Sequence, residues 1–187
     1  MTLAAEQGFL FFLGSGSALQ GWALVEQGQI EEGIAQIRQG LAALRLIGAE
    51  AHRPYYLALL ADAYGKAGQN EEGLRALTEA LALVNKTEAR YYEAELHRVH
   101  GELLLLRNDL NAAQAESCFR QAIEVARKQS AKSWELRATI SLARLLKRQG
   151  NREEARTMLG EIYGWFTEGF DTADLKDAKA LLAELSA

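Results

Sequence analysis

The sequence predicts an all-α protein made of four copies of one helical hairpin, closed by a C-terminal helix. Three observations carry that prediction. Pro54 is the single proline among 187 residues, Ala, Leu, Glu and Gln are abundant, and β-branched residues are scattered, the composition of a helix-forming chain. Turn residues recur at a nearly fixed step: Gly28 to Gly68 is 40 residues, another 40 reaches Asn108, and Gly150 follows after 42. Gly and Asn are the residues that tolerate the left-handed conformation in which many helices end, and self-similarity at a period of this size marks a repeat architecture. Each turn is also followed by acidic or amide side chains, as at Glu31-Glu32, Glu71-Glu72, Asp109 and Asn111, and Glu153-Glu154, where negative charge suits the positive end of a helix dipole.

Taken in order, residues 2–7 read as the tail of a preceding helix. The hairpins then pair 9–27 with 30–47, 52–67 with 69–84, 89–107 with 112–129, and 132–149 with 151–166. Small residues keep this register. Gly21, Ala61, Gly101 and Ala143 share one position of the first helices; Gly33, Gly73, Ala115 and Ala155 share one position of the second. Small side chains there let paired helices approach closely, with Leu60, Leu77, Phe119, Leu142 and Leu159 as the bulky residues around them. A last helix spans 172–186, with Asp171 or Thr172 as its N-cap. The aromatic stretch from Tyr163 to Phe170 is expected to seal that end. Residues 1–187 form one repeat domain, divided into repeats at about 9–47, 52–84, 89–129 and 132–166, with no linker or low-complexity segment.

Composition bounds the function. Hydrophobic content of 49% with 25% charged residues argues against disorder. A net charge of −4 and a pI near 5.5 provide no global basic footprint for nucleic acid. Cys118 is the only cysteine, which excludes an internal disulfide and a cysteine-rich metal site. No apolar run reaches membrane-spanning length. Phe9–Leu13 is short and preceded by Glu6 rather than by basic residues, unlike a signal peptide. The simplest address is the cytoplasm.

The pattern of small residue, turn glycine and acidic entry resembles the tetratricopeptide repeat (TPR), with a longer step than 34 residues and without the usual proline after the second helix. Longer repeats of this kind resemble those of signalling ATPase regulators, such as the maltose-regulon activator, and of kinesin light chains. More narrowly, Leu19–Leu24, Ala51–Ala61, Glu93–Leu104 and Tyr163–Leu175 resemble the C-terminal repeat region of bacterial proteins that carry a class III adenylate/guanylate cyclase domain and an ATPase module. The resemblance implies a right-handed α–α superhelix and a place in bacterial signal transduction. Neither the cyclase nor the ATPase lies in this chain.

Candidate chemistry is sparse. His97 and His100, with Glu93 one turn earlier, have helical spacing that zinc sites use, but His97 falls at an inward position and reads as a core residue. Gly14-Ser-Gly16-Ser17 lacks the Lys-Ser/Thr of a phosphate loop and follows no strand. Cys118 beside Phe119 reads as a small packed hydrophobe. No nucleophile–base set stands out, so the chain is expected to be non-catalytic and to need no metal or cofactor.

The stronger signal lies on the first helices, which line the groove in TPR-like stacks. The repeat register places Trp22, Asp62, Glu102 and Arg144 at one groove position. Ala18, Ala58, Arg98 and Ile140 share another, and Tyr55 and Arg137 a third. The groove is therefore expected to be acidic and aromatic early and basic late, with Arg137 and Arg144 holding a carboxylate or phosphate of a protein or peptide partner. The alternative is a sensor domain enclosing a small metabolite in the superhelix. Phe9–Leu13, apolar on every side, needs cover, and a homodimer through this N-terminal helix is one way to supply it.

Overall fold

The computed structural model of the chain describes residues 9–186; the expected helix tail at 2–7 lies outside them. Among the described residues there are nine α-helices and no strand. They are α1 (Leu10–Glu26), α2 (Ile30–Leu46), α3 (Arg53–Lys66), α4 (Asn70–Thr87), α5 (Glu93–Arg107), α6 (Ala112–Lys128), α7 (Lys132–Arg148), α8 (Arg152–Tyr163) and α9 (Ala173–Ser186). The first eight pair into four hairpins, and α9 follows as the closing helix.

Three hairpin turns share one hydrogen-bond pattern. The Gln29 amide donates to the Leu24 carbonyl (2.9 Å) and the Gly28 amide to that of Val25 (3.0 Å); the same pair recurs at Gln69/Gly68 and Asn151/Gly150. These are Schellman closures, and Gly28, Gly68 and Gly150 have φ of 86°, 72° and 87°. Asn108 departs from the expected pattern. It does not take the left-handed conformation; its side-chain Oδ1 accepts from the Leu110 amide (3.0 Å), and a 3₁₀ turn over Asp109–Asn111 leads into α6. The connections between hairpins carry left-handed residues of their own at Gly48, Glu88 and Ser130.

Backbone contacts divide the chain into two compact units, Met1–Tyr92 and Glu93–Ala187. In the first, α1 pairs with α2 and α3 with α4, and α3 also packs on α1 and α2. The α1–α2 pair is drawn together by glycines. A Cβ on Gly21 would lie 2.6 Å from the Gly33 carbonyl oxygen, and one on Gly40 would lie 2.4 Å from that of Gly14. Ile37, Leu44, Leu77 and Val84 are fully buried around these seams.

In the second unit, α5 pairs with α6 and α7 with α8, while α7 also packs on α5 and α6. Gly101 makes room for the ring of Phe119, which would lie 2.5 Å from an added Cβ and is itself fully buried. Helix α9 lies on α7 and α8 and buries Leu175, Ala178, Leu181 and Leu185, an i, i+3, i+6, i+10 stripe. All eight small-residue positions expected at the helix seams are buried. The Tyr163–Phe170 stretch departs from the expected seal. Its rings touch in pairs, Tyr163 with Phe170 and Trp165 with Phe166, yet Trp165 and Phe170 stay about half exposed.

Candidate functional site

A groove lies in the second unit, between its first helices and α9. Glu102, Leu105 and Leu106 from α5, Ser141, Arg144, Leu145, Lys147 and Arg148 from α7, and Asp177, Ala180, Leu181 and Glu184 from α9 line this groove of about 560 Å³. Helical periodicity explains the selection. Leu142 and Leu146 turn into the core and are fully buried, which leaves Ser141, Arg144, Leu145 and Arg148 on the adjoining face. The floor is leucine and alanine. The rim holds three cationic and three acidic side chains, so the groove carries little net charge.

The rim is tied together by specific bonds. The Ser141 hydroxyl donates to Glu102 Oε1 (2.6 Å). Arg144 meets Asp177 at 2.5 Å and Lys147 meets Glu184 at 2.5 Å. A turn nearer the helix starts, Arg98 donates through Nε and Nη2 to both oxygens of Glu95 (2.9 and 2.8 Å). Arg137 reaches the same carboxylate at 3.1 Å, approaches Asp174 at 3.8 Å and lies over the Trp134 ring. Glu95 is buried, and two guanidiniums supply the compensation that a buried carboxylate requires.

Four of the seven expected groove residues thus fall in this unit. Glu102 and Arg144 line the groove, and Arg98 and Arg137 form the ionic cluster beside it. The structure changes the chemistry expected of the arginines. Arg137 and Arg144 are paired within the unit, because α9 carries Asp174, Asp177 and Glu184 along the face that meets α7. The acid spacing of α9 was visible in the sequence, but which helix it would meet was not.

The other three lie in the first unit. Tyr55 packs edge-on against Tyr56 and Tyr92, with centroids 4.8 and 4.7 Å away, and burial pushes its phenol pKa up. Asp62 pairs with Lys66, which also bridges to Glu26. Trp22 is partly exposed on α1. Of the position shared by Ala18, Ala58, Arg98 and Ile140, the three apolar members are buried in the core, and Arg98 alone reaches out to the ionic cluster through Glu95. A first helix is held both by its own partner and by the neighbouring hairpin, which narrows its free face.

The other candidates lie within packed helices. His97 is 8% exposed, and burial draws its pKa down against the opposing pull of Glu93. Among the described residues no cluster of three or more His, Cys, Asp or Glu side chains could hold a metal ion. Gly14-Ser-Gly16-Ser17 lies inside α1, where Gly14 meets Gly40 and the Ser17 hydroxyl donates to the Gln36 carbonyl (3.2 Å). Cys118 is partly buried, and burial pushes its thiol pKa up, away from the reactive thiolate. No described helix is long and apolar enough to cross a membrane.

Sequence reasoning missed the apolar floor. Leu105, Leu106 and Leu145 flank the core register, and Leu106 is 61% exposed. A leucine run at the end of α5 was the available signal, but by itself it does not tell a buried side from an exposed one.

No family model matches the chain. An uncharacterized protein of Rhizobium meliloti (strain 1021) is 34% identical over 133 residues, which cover 70% of this chain and 13% of that protein; the chain therefore spans only a small part of that relative. Among solved structures, a putative kinesin light chain of Podosopora anserina with nearly identical TPR-like repeats superposes with a TM-score of 0.69 at 18% identity, covering 94% of this chain and 86% of that one. The apo form of RapI gives the same TM-score at 11% identity, covering 95% of this chain and 48% of that one. These likenesses show the fold, a TPR-like helical repeat.

Proposed function

We propose that residues 1–187 are one non-catalytic interaction domain that docks a protein segment in the α5–α7–α9 groove. The observation that carries this is the groove itself: an open trough with a leucine floor and a charge-balanced rim, built on three helices whose rim side chains are already fixed by ion pairs. Such a rim orders few new groups on binding, which limits the entropic cost of association. The partner that fits is an amphipathic segment with aliphatic or aromatic anchors for the floor and charges of both signs for the rim. A metabolite sensor needs a closed, aromatic-lined pocket, and the lining of this groove contains no aromatic residue.

The setting follows from resemblance. The motifs at Glu93–Leu104 and Tyr163–Leu175 support a place beside cyclase and ATPase modules in a bacterial, cytoplasmic signalling protein. Exposed apolar residues on α1 support a homodimer through the N-terminal helix.

A displayed random-peptide library panned on the wild-type chain tests the groove. The expected result is a family of sequences with a shared apolar pattern whose binding drops at least tenfold on Leu106→Glu and is unchanged on Leu46→Glu, an exposed leucine of the first unit. Peptides that bind all three proteins equally would overturn the groove assignment.

A further inference from the structure

Helix α9 meets its unit along one side only. Leu175, Ala178, Leu181 and Leu185 are buried where it packs on α7 and α8. Lys176, Lys179 and Ala183, on the far side, are exposed. A second stripe, of acids, runs beside the buried one. Asp174 approaches Arg137 at 3.8 Å, Asp177 meets Arg144 at 2.5 Å and Glu184 meets Lys147 at 2.5 Å. The order is the same on both helices, so α9 runs parallel to α7. Near its end, Arg152 of α8 donates through Nη2 to the Glu184 carbonyl (2.6 Å), in the last turn, where carbonyls lack a partner within the helix. The seat under α9 therefore selects three properties together: an aliphatic stripe, acids along one flank, and a helix end directed at Arg152.

The attachment is a light one. Helix α7 buries ten of its residues and α9 buries four. The ion pairs of Arg144 and Lys147 with α9 are about half exposed; pairs of this kind add little stability but decide which partner and which orientation are accepted. The connection from α8, residues 164–172, holds no helix. Its Gly169 has φ of 76°, and its Trp165 and Phe170 stay about half exposed, so little packing holds it in place. Elements with few buried apolar contacts open locally before the rest of a fold does.

We propose that the α7–α8 face under α9 is a binding site for an acidic amphipathic helix of a partner protein, and that α9 is its resident occupant, released when that helix binds. Charge complementarity selects the acidic helix. With α9 released, Arg144, Lys147 and Arg152 face a vacated aliphatic surface, while Arg137 keeps Glu95. An apolar helix such as α1, uncharged from Leu10 to Val25, offers these cations nothing, and a basic helix repels them. Exchange also replaces the α9 wall of the groove, formed by Asp177, Ala180, Leu181 and Glu184, with the incoming helix. The inference does not require the groove itself to dock a segment.

A fluorescein-labelled synthetic peptide of residues 172–186 is the probe, and the full chain carrying Lys179→Pro is the receptor. Lys179 is exposed, and proline there breaks α9 while leaving the seat unchanged. Fluorescence anisotropy should show binding to Lys179→Pro at least tenfold tighter than to the wild type. A peptide with Asp174→Lys, Asp177→Lys and Glu184→Lys should bind at least tenfold more weakly, and adding Arg144→Glu and Lys147→Glu to the receptor should restore it. Hydrogen–deuterium exchange should find α9 of the wild type exchanging at least tenfold faster than α7, and α7 and α8 protected alike in wild type and Lys179→Pro; Leu181→Asp serves as the second release variant. Exchange of α9 as slow as that of α7, or loss of α7 and α8 protection in both release variants, would show that α9 is not separable and overturn the proposal. A charge-reversed peptide that binds as well as the native one, or a release variant that binds neither, would overturn it as well.

Discussion

A close helix contact in the first unit provides a sharp test of the packing. Adding one methyl group as Gly21→Ala puts a Cβ 2.6 Å from the Gly33 carbonyl oxygen and 2.7 Å from the Ile37 amide nitrogen. Both are backbone atoms, so no rotamer change relieves the clash. Restoring contact at about 3.4 Å requires α1 and α2 to part by roughly 0.8 Å, which also opens the Gly14–Gly40 approach; overpacking of this kind costs about 1–3 kcal/mol. Alanine returns about 0.5–1 kcal/mol through its higher helix propensity. The expected balance is a loss of about 1–2 kcal/mol. Gly160→Ala is the control. Gly160 also lies within a helix, α8, but nothing lies within 4 Å of its added Cβ, so only the gain of about 0.5–1 kcal/mol remains. Urea unfolding followed by circular dichroism and tryptophan fluorescence would show the two variants moving in opposite directions with unchanged slopes. A Gly21→Ala variant as stable as wild type would refute the close approach.

Three further perturbations follow from the second unit. His97 is held below its ordinary pKa of 6.5, chiefly by burial. Below that pH the unfolded chain takes up a proton that the folded imidazole resists, so stability falls as pH drops through 6.5 toward the lowered value; His97→Gln should flatten that decline in urea midpoints measured between pH 7.5 and 5. Burial pushes the Glu135 carboxyl up, but hydrogen bonds from Arg127 and Lys132 outweigh it and hold the pKa below the ordinary 4.5. Its contribution is present above 4.5 and is lost as pH falls from there through the lowered folded value, so Glu135→Gln should lose about 1–3 kcal/mol at neutral pH and show a shallower acid limb in thermal melts. Arg144→Ala breaks a half-exposed pair with Asp177 and should cost no more than about 0.5 kcal/mol; a larger loss by differential scanning calorimetry would mean that the rim supports the fold as well as the groove.

The helical register was legible because glycines report it directly. Gly28, Gly68 and Gly150 mark hairpin turns whose closures need a left-handed residue, and the helix ends fall within a few residues of the expected bounds. Glu88 and Ser130 make the same left-handed turn between hairpins, but neither residue type announces it, and Asn108 looked like such a turn while capping through its side chain instead. The site was legible only in part. Spacing along the helices placed Glu102 and Arg144 at one register position, and both line the α5–α7–α9 groove. It could not show that Ser141 would bond Glu102, that Arg137 would turn to Glu95, or that α9 would set its acids against α7. Those contacts join residues more than 30 positions apart in sequence, and hydrophobic periodicity specifies which face of a helix is buried without naming the helix that covers it.

The central claim is that the α5–α7–α9 groove is a docking surface for a protein segment. Backbone amide chemical-shift mapping of the ¹⁵N-labelled chain with a peptide selected on the wild type tests it most directly. The expected perturbations concentrate at Leu105, Leu106, Ser141, Leu145 and Leu181 and disappear with Leu106→Glu. Shifts confined to the first unit, or a pattern unchanged by Leu106→Glu, would contradict it.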